Sequence, residues 1–201
     1  MGRCILCYGD SNTYGYDPRS YLGGRYPESV RWTGVLEASG LVVIKEGENG
    51  RSIPRLNWEI EAAAGTISRS KAQDIVVMLG SNDLLKCSGL SAEGCAARME
   101  GFLAALLAKV QLDLKVLLIA PPPMTEGTWV TDPRTLKESH RVAGCYEAVA
   151  HRLGIGFADA GTWGVELTYD GVHFSEKGHL AFAKGMQTAL DYFLQGANST
   201  T

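Results

Sequence analysis

Arg3-Cys4-Ile5-Leu6-Cys7-Tyr8-Gly9-Asp10-Ser11-Asn12-Thr13-Tyr14-Gly15 is the stretch from which the rest of the chain is read. Cys4 to Tyr8 form a short continuous apolar run, the pattern of a strand buried on both faces. Gly9 breaks the run, and Asp10, Ser11, Asn12 and Thr13 all favour turns and helix starts. A strand of this kind belongs to an open α/β sheet, which carries its chemistry at the carboxyl ends of its strands. A hydroxyl at position 11 sits there. Ser11 by itself reads as a helix cap or as a nucleophile, and residues far downstream decide between the two.

Three further blocks follow in order: Gly47-Glu48-Asn49-Gly50, Gly80-Ser81-Asn82-Asp83 and Asp170-Gly171-Val172-His173. With Gly9-Asp10-Ser11 they resemble the four blocks of the GDSL, or SGNH, hydrolase family of esterases and lipases, over nearly the whole chain. Arg31-Trp32-Thr33-Gly34 and Pro121-Pro122-Pro123 further resemble the family's arylesterase/acyltransferase branch. Position 12 departs from the family pattern, with Asn where Leu is usual. That bears on the shape of the acyl pocket and not on the nucleophile.

At 201 residues the chain is long enough for one domain with a sizeable core, spanning 1–201. Apolar content of 45% and charged content of 20% fit a soluble globular protein, and a net charge of -3 argues against nucleic-acid binding. No stretch approaches the ~20 apolar residues of a membrane span. Strand 1 begins with no charged-then-apolar leader before it, so a cytoplasmic protein is expected. Five scattered cysteines do not make a disulfide framework. Cys4 and Cys7 spell Cys-x-x-Cys, but on a strand residues three apart point to opposite faces. Asn198-Ser199-Thr200 matches a glycosylation acceptor that has no meaning in a cytosolic tail.

Beyond the Ser11 turn, Tyr16 to Ser29 reads as a loop, and Arg31 to Ser39 as a helix stopped by Gly40. Leu41 to Lys45 is strand 2, followed by a turn at Gly47 to Ser52. Asn57 to Ser70 is a helix with Trp58 and Ile60 inward, and Asp74 to Leu79 is strand 3. Ser91 to Leu112 is a helix whose Met99, Phe102, Leu103, Leu106, Leu107 and Val110 make one apolar stripe. Leu114 to Ala120 is strand 4, stopped by three prolines. After a loop to Val130, Pro133 opens a helix that runs to Gly154. Ile155 to Asp159 is strand 5, and Ser175 caps a last helix. Five strands alternating with helices predict an α/β protein, a three-layer α/β/α sandwich around a five-stranded parallel sheet. The family resemblance implies the flavodoxin-like strand order 2-1-3-4-5, which would put Ser11 at the switch point.

A serine hydroxyl needs an adjacent base, and the base needs an orienting group. Of four histidines, His140 and His151 lie on a polar-faced helix, and His179 lies inside the last helix as a core or surface residue. His173 follows a turn, with Asp170 three residues earlier to reach its ring. A lone Asp-x-x-His is more often structural than catalytic; the presence of the other three blocks makes Ser11, His173 and Asp170 the candidate triad. The candidate oxyanion donors are the backbone N–H groups of Ser11 and Gly50 and the side-chain amide of Asn82. Gly50 also reads as a plain positive-φ turn, and Asn82 as a local cap. Asp10 and Asp83 read as fixing their own turns. Asn12, Tyr14, Tyr16 and Trp129 are candidate substrate-binding residues.

Neither a nucleophile-elbow Gly-x-Ser-x-Gly, nor a P-loop ending, nor a zinc-spaced His/Cys cluster occurs. No cofactor and no metal are expected. These readings converge on a serine esterase hydrolysing small carboxylic esters, or transferring their acyl groups, through an acyl-enzyme. A carbohydrate acetylesterase or thioesterase would keep the same triad. A flavodoxin-like phosphate- or nucleotide-binding module is the reading from another class. The expected partner is a small-molecule ester, with no nucleic acid or membrane, and a homo-oligomer is open.

Overall fold

Side chains along β1 (Cys4–Gly9) are buried on both faces: Ile5 and Cys7 face one layer of helices, Leu6 and Tyr8 the other. The computed structural model describes residues 4–20, 22, 24–110 and 114–196. β1 pairs in parallel with β2 (Val42–Gly47) and with β3 (Asp74–Met78). β4 (Lys115–Ala120) and β5 (Gly156–Asp159) extend the sheet to the order 2-1-3-4-5 that the family resemblance implies. α3 (Asn57–Ser70), α5 (Ala92–Lys109) and α7 (Val142–Leu153) cover one face; α2 (Trp32–Ala38) and α8 (Glu176–Gly196) cover the other. The chain leaves β1 toward β2 and returns to β3 on the opposite side. A crevice therefore opens at the carboxyl ends of β1 and β3.

Periodicity placed the main helices. On α5, Met99, Phe102, Leu103 and Leu106 are all fully buried, each worth about 1.5–3 kcal/mol of transfer free energy. The helix ends at Lys109; Leu112, expected at its end, lies outside the described residues, as does Asn198-Ser199-Thr200. Cys4 packs against one core layer and Cys7 lies in the other, so the Cys-x-x-Cys pair is split by the sheet, and all five cysteines are free. No helix of the described residues is long and apolar enough to cross a membrane.

Two readings are corrected. Trp58 does not point inward but is 66% exposed. The buried face of α3 is Ile60, Ala63, Ala64 and Ile67; Trp58, two residues before Ile60, falls about 200° around the helix, on the far side. The helix expected from Pro133 to Gly154 is two helices, α6 (Pro133–Ser139) and α7. At the break the Ser139 hydroxyl donates to Leu136 O at 2.7 Å and accepts Met124 N–H at 3.0 Å. That side chain competes with the helical ladder and ties the corner to the loop after β4.

His179, undecided from the sequence, is wholly buried on α8, edge-on to Tyr26 and Phe174 at 5.2 and 5.3 Å. Its Nδ1 accepts the Trp32 N–H at 3.5 Å. Burial, with smaller contributions from Arg31 and His173, pushes its imidazole from 6.5 down to about 3. The folded state holds the ring neutral while the unfolded chain takes up a proton. The stability this contributes is present above 6.5 and is lost as pH falls from there toward 3, by at most about 1.4 kcal/mol per pH unit. His179→Gln is therefore expected to flatten the acid side of the stability curve relative to wild type. Denaturant midpoints between about pH 6 and pH 4 check this, and an unchanged slope would rule the role out.

Candidate active site

The position of Ser11 is built by the end of β1. Asp10 caps α1 (Ser11–Tyr14), its Oδ1 accepting the Asn12 N–H at 3.0 Å, and Gly15 closes the turn in the left-handed region. Ser11 is the first residue of that short helix, 6% exposed, with its hydroxyl toward the crevice. Burial pushes the Asp10 carboxyl up to about 6, against the pull of the Asn12 N–H and the charges of His173 and Arg51.

Across the crevice, the loop before α8 folds around one carboxylate. Asp170 Oδ1 accepts the N–H groups of Val172 and His173 and the Thr168 hydroxyl, each at 2.9 Å. Its Oδ2 lies 2.7 Å from His173 Nδ1, and His173 Nε2 lies 2.9 Å from Ser11 Oγ. Burial alone would raise the Asp170 carboxyl. The bonds from the His173 ring and from the His173 and Val172 N–H groups outweigh it and hold it at about 2. An ionised Asp170 can only accept, so Nδ1 carries the ring proton and Nε2 is left to accept from Ser11. Gly171 is required here: at φ +82°, an added Cβ would meet Thr125 O at 2.1 Å.

Three neighbouring turns are tied together. Glu48 N–H and the Arg51 guanidinium both donate to Gly9 O, at 3.1 and 2.9 Å. Asn82 lies on α4 (Ser81–Lys86), whose N-cap is Gly80, and its amide does not cap the helix but donates to Arg51 O at 3.1 Å. Asp83 does more than fix its own turn: it accepts Ile53 N–H at 2.8 Å and pairs with Arg98 at 2.9 Å. Gly50 is a positive-φ turn residue at +75°. Among the described residues neither the Ser11 nor the Gly50 N–H has an acceptor. Within the same residues no three His, Cys, Asp or Glu side chains converge as metal ligands would.

The chain is similar to known proteins. Residues 7–181 match the GDSL-like Lipase/Acylhydrolase family. The chain belongs to that family. Its fold is similar to a carbohydrate acetylesterase family member from Sinorhizobium meliloti, at 27% identity and a TM-score of 0.83, covering 96% of this chain and 99% of that one. A second carbohydrate acetylesterase from the same organism is similar at 25% identity and 0.80, covering 94% and 99%. The M. smegmatis aryl esterase is similar at 27% identity and 0.77, covering 95% and 98%. No curated protein matches the chain.

In this GDSL-family site Ser11, His173 and Asp170 are brought together, although the serine and the other two are some 160 residues apart. Tyr16 and Trp129 flank the His173 ring, with centroids 4.8 and 4.9 Å away. Tyr14 lies under the Arg25 guanidinium at 4.0 Å. Asn12, expected among the substrate-binding residues, is placed otherwise: it is 4% exposed, and both ends of its amide bond to backbone beside His173. Two neighbours escaped the sequence reading. Arg51 ties Gly9 and Asn82 together and stacks on Tyr8 at 4.2 Å, and nothing local in its sequence signals this. Tyr169, 60% exposed, bonds Pro18 O at 2.9 Å; its signal was its place directly before Asp170.

Proposed function

We propose that this chain is a serine esterase that hydrolyses small carboxylic esters through an acyl-enzyme intermediate. The observation that carries the reading is the unbroken relay from Ser11 Oγ through His173 to Asp170. Ser11 attacks the ester carbonyl as His173 Nε2 takes its proton, and the proton returns to the departing alcohol. Asp170 holds the tautomer and stabilises the imidazolium. Water, activated in turn by His173, releases the acid; another alcohol in its place would give acyl transfer. The Ser11 and Gly50 N–H groups and the second N–H of the Asn82 amide are the donors for the oxyanion. The chain works as one domain, needs no cofactor, and its free thiols suit a reducing compartment such as the cytoplasm.

Incubation with a fluorophosphonate, followed by peptide mass spectrometry, tests the reading. Label on Ser11 together with hydrolysis of nitrophenyl acetate is expected. Neither label nor hydrolysis would return the fold to a phosphate-binding module. Among esters, the exposed Trp129, which lies against the His173 ring, is suited to stacking on a sugar or aryl group. The similarity to carbohydrate acetylesterases favours acetylated sugars as the substrate class.

Acyl groups should be short. Ser11 is nearly covered, and Tyr16 and Trp129 crowd its base, which leaves little room for a fatty chain. The kcat/KM on nitrophenyl acetate is expected to exceed that on the palmitate ester tenfold or more, about 1.4 kcal/mol. A higher value on palmitate would reject the small pocket.

A further inference from the structure

Ser11 and His173 come from opposite ends of the chain, and their 2.9 Å contact needs something to set the gap between β1 and the last loop. The Asp170 bonds all lie within that loop, so they orient the ring but leave the loop's distance from α1 open. Asn12 spans the gap. Its Nδ2 donates to Val172 O at 3.1 Å, and its Oδ1 accepts the Phe174 N–H at 2.9 Å, one residue on each side of His173. A carbonyl can only accept and a backbone N–H can only donate, so this pair also fixes which way the amide faces. Asn12 is itself anchored: its N–H goes to Asp10, and its carbonyl accepts the Trp32 indole N–H at 3.0 Å.

We propose that Asn12 is a positioning residue that holds His173 at proton-transfer distance from the serine beside it. The proposal rests on the triad reading above and assigns Asn12 to the base, not to the acyl pocket. A leucine, usual at this position in the family, could make neither bond.

The test uses the whole chain with Asn12→Leu and with Asn12→Ala, the second guarding against overpacking by the larger side chain. Wild-type labelling of Ser11 by the fluorophosphonate is measured first; a wild type that neither labels nor hydrolyses nitrophenyl acetate ends the triad reading itself. With labelling established, both variants are expected to lose roughly 10- to 100-fold in kcat per folded molecule, as slight misplacement of a catalytic group does. KM should change less than about twofold, since no substrate contact is removed. The labelling rate should fall in proportion to kcat. The low-field proton resonance of the Asp170–His173 bond should persist, because that bond is internal to the loop. A merely structural Asn12 would lower the melting temperature and leave kcat per folded molecule, and the labelling rate, near wild type. Values within about threefold of wild type in both variants would overturn the positioning role and leave the triad intact.

Discussion

Ser11→Ala is expected to lower kcat on nitrophenyl acetate by about 10⁴-fold or more, with His173→Ala falling as far. Serine and base act as one unit, so removing either leaves only binding and oxyanion donors. The two variants should differ in stability. Ser11→Ala deletes one oxygen whose partner is the His173 ring, and it should melt close to wild type. His173→Ala takes the ring donor from the buried Asp170 carboxylate, which its hydrogen bonds hold at about 2. Leaving that oxygen short of a partner costs on the order of 1–3 kcal/mol, so this variant should melt lower while keeping its far-UV CD. The measurement is kcat on purified folded protein beside a thermal scan. Near-normal turnover in Ser11→Ala would remove the serine from the mechanism.

Asn82→Ala carries the second large effect. An oxyanion donor acts where negative charge develops, so its loss should fall on kcat more than on KM. Removing one such donor costs about 10²–10³ in kcat, roughly 3–4 kcal/mol. The amide also bonds Arg51 O at 3.1 Å, so a stability loss of about 1 kcal/mol should accompany it. The two effects separate cleanly in one variant. If the amide only braces the Arg51 turn, stability falls and kcat stays within about threefold of wild type. Serine labelling of the variant confirms that the nucleophile is still in place.

Much of this site was legible in the chain before it folded. The apolar run of Cys4 to Tyr8 followed by Asp10 and Ser11, and Asp170 three residues before His173, are local patterns, and strand or turn propensity acts over such distances. The stripe on α5 was legible for the same reason, since a helix repeats its face every 3.6 residues. Where a side chain's fate depended on a neighbour from elsewhere, the reading failed. Trp58 lies in a helix that was bounded correctly, yet it faces solvent because α3 packs by Ile60. The break after Ser139 falls where its hydroxyl meets the Met124 N–H, on the loop that follows β4.

The sequence by itself determined the alternation of strands and helices and the place of Ser11 at a strand end, which follow from residue type and short-range order; the grouping of Ser11 with His173 and Asp170 came from reading four distant blocks together. Tertiary structure alone decided that Arg51 and Asp83 bind the turn around Gly50 to the sheet and to α4, and that Asn12 grips the backbone on both sides of His173. Asn12 and its partners are 160 and 162 residues apart, and no local propensity records a contact of that span. It exists because the parallel sheet gathers the ends of β1, β2 and β3 at one edge and α8 returns the last loop to meet them.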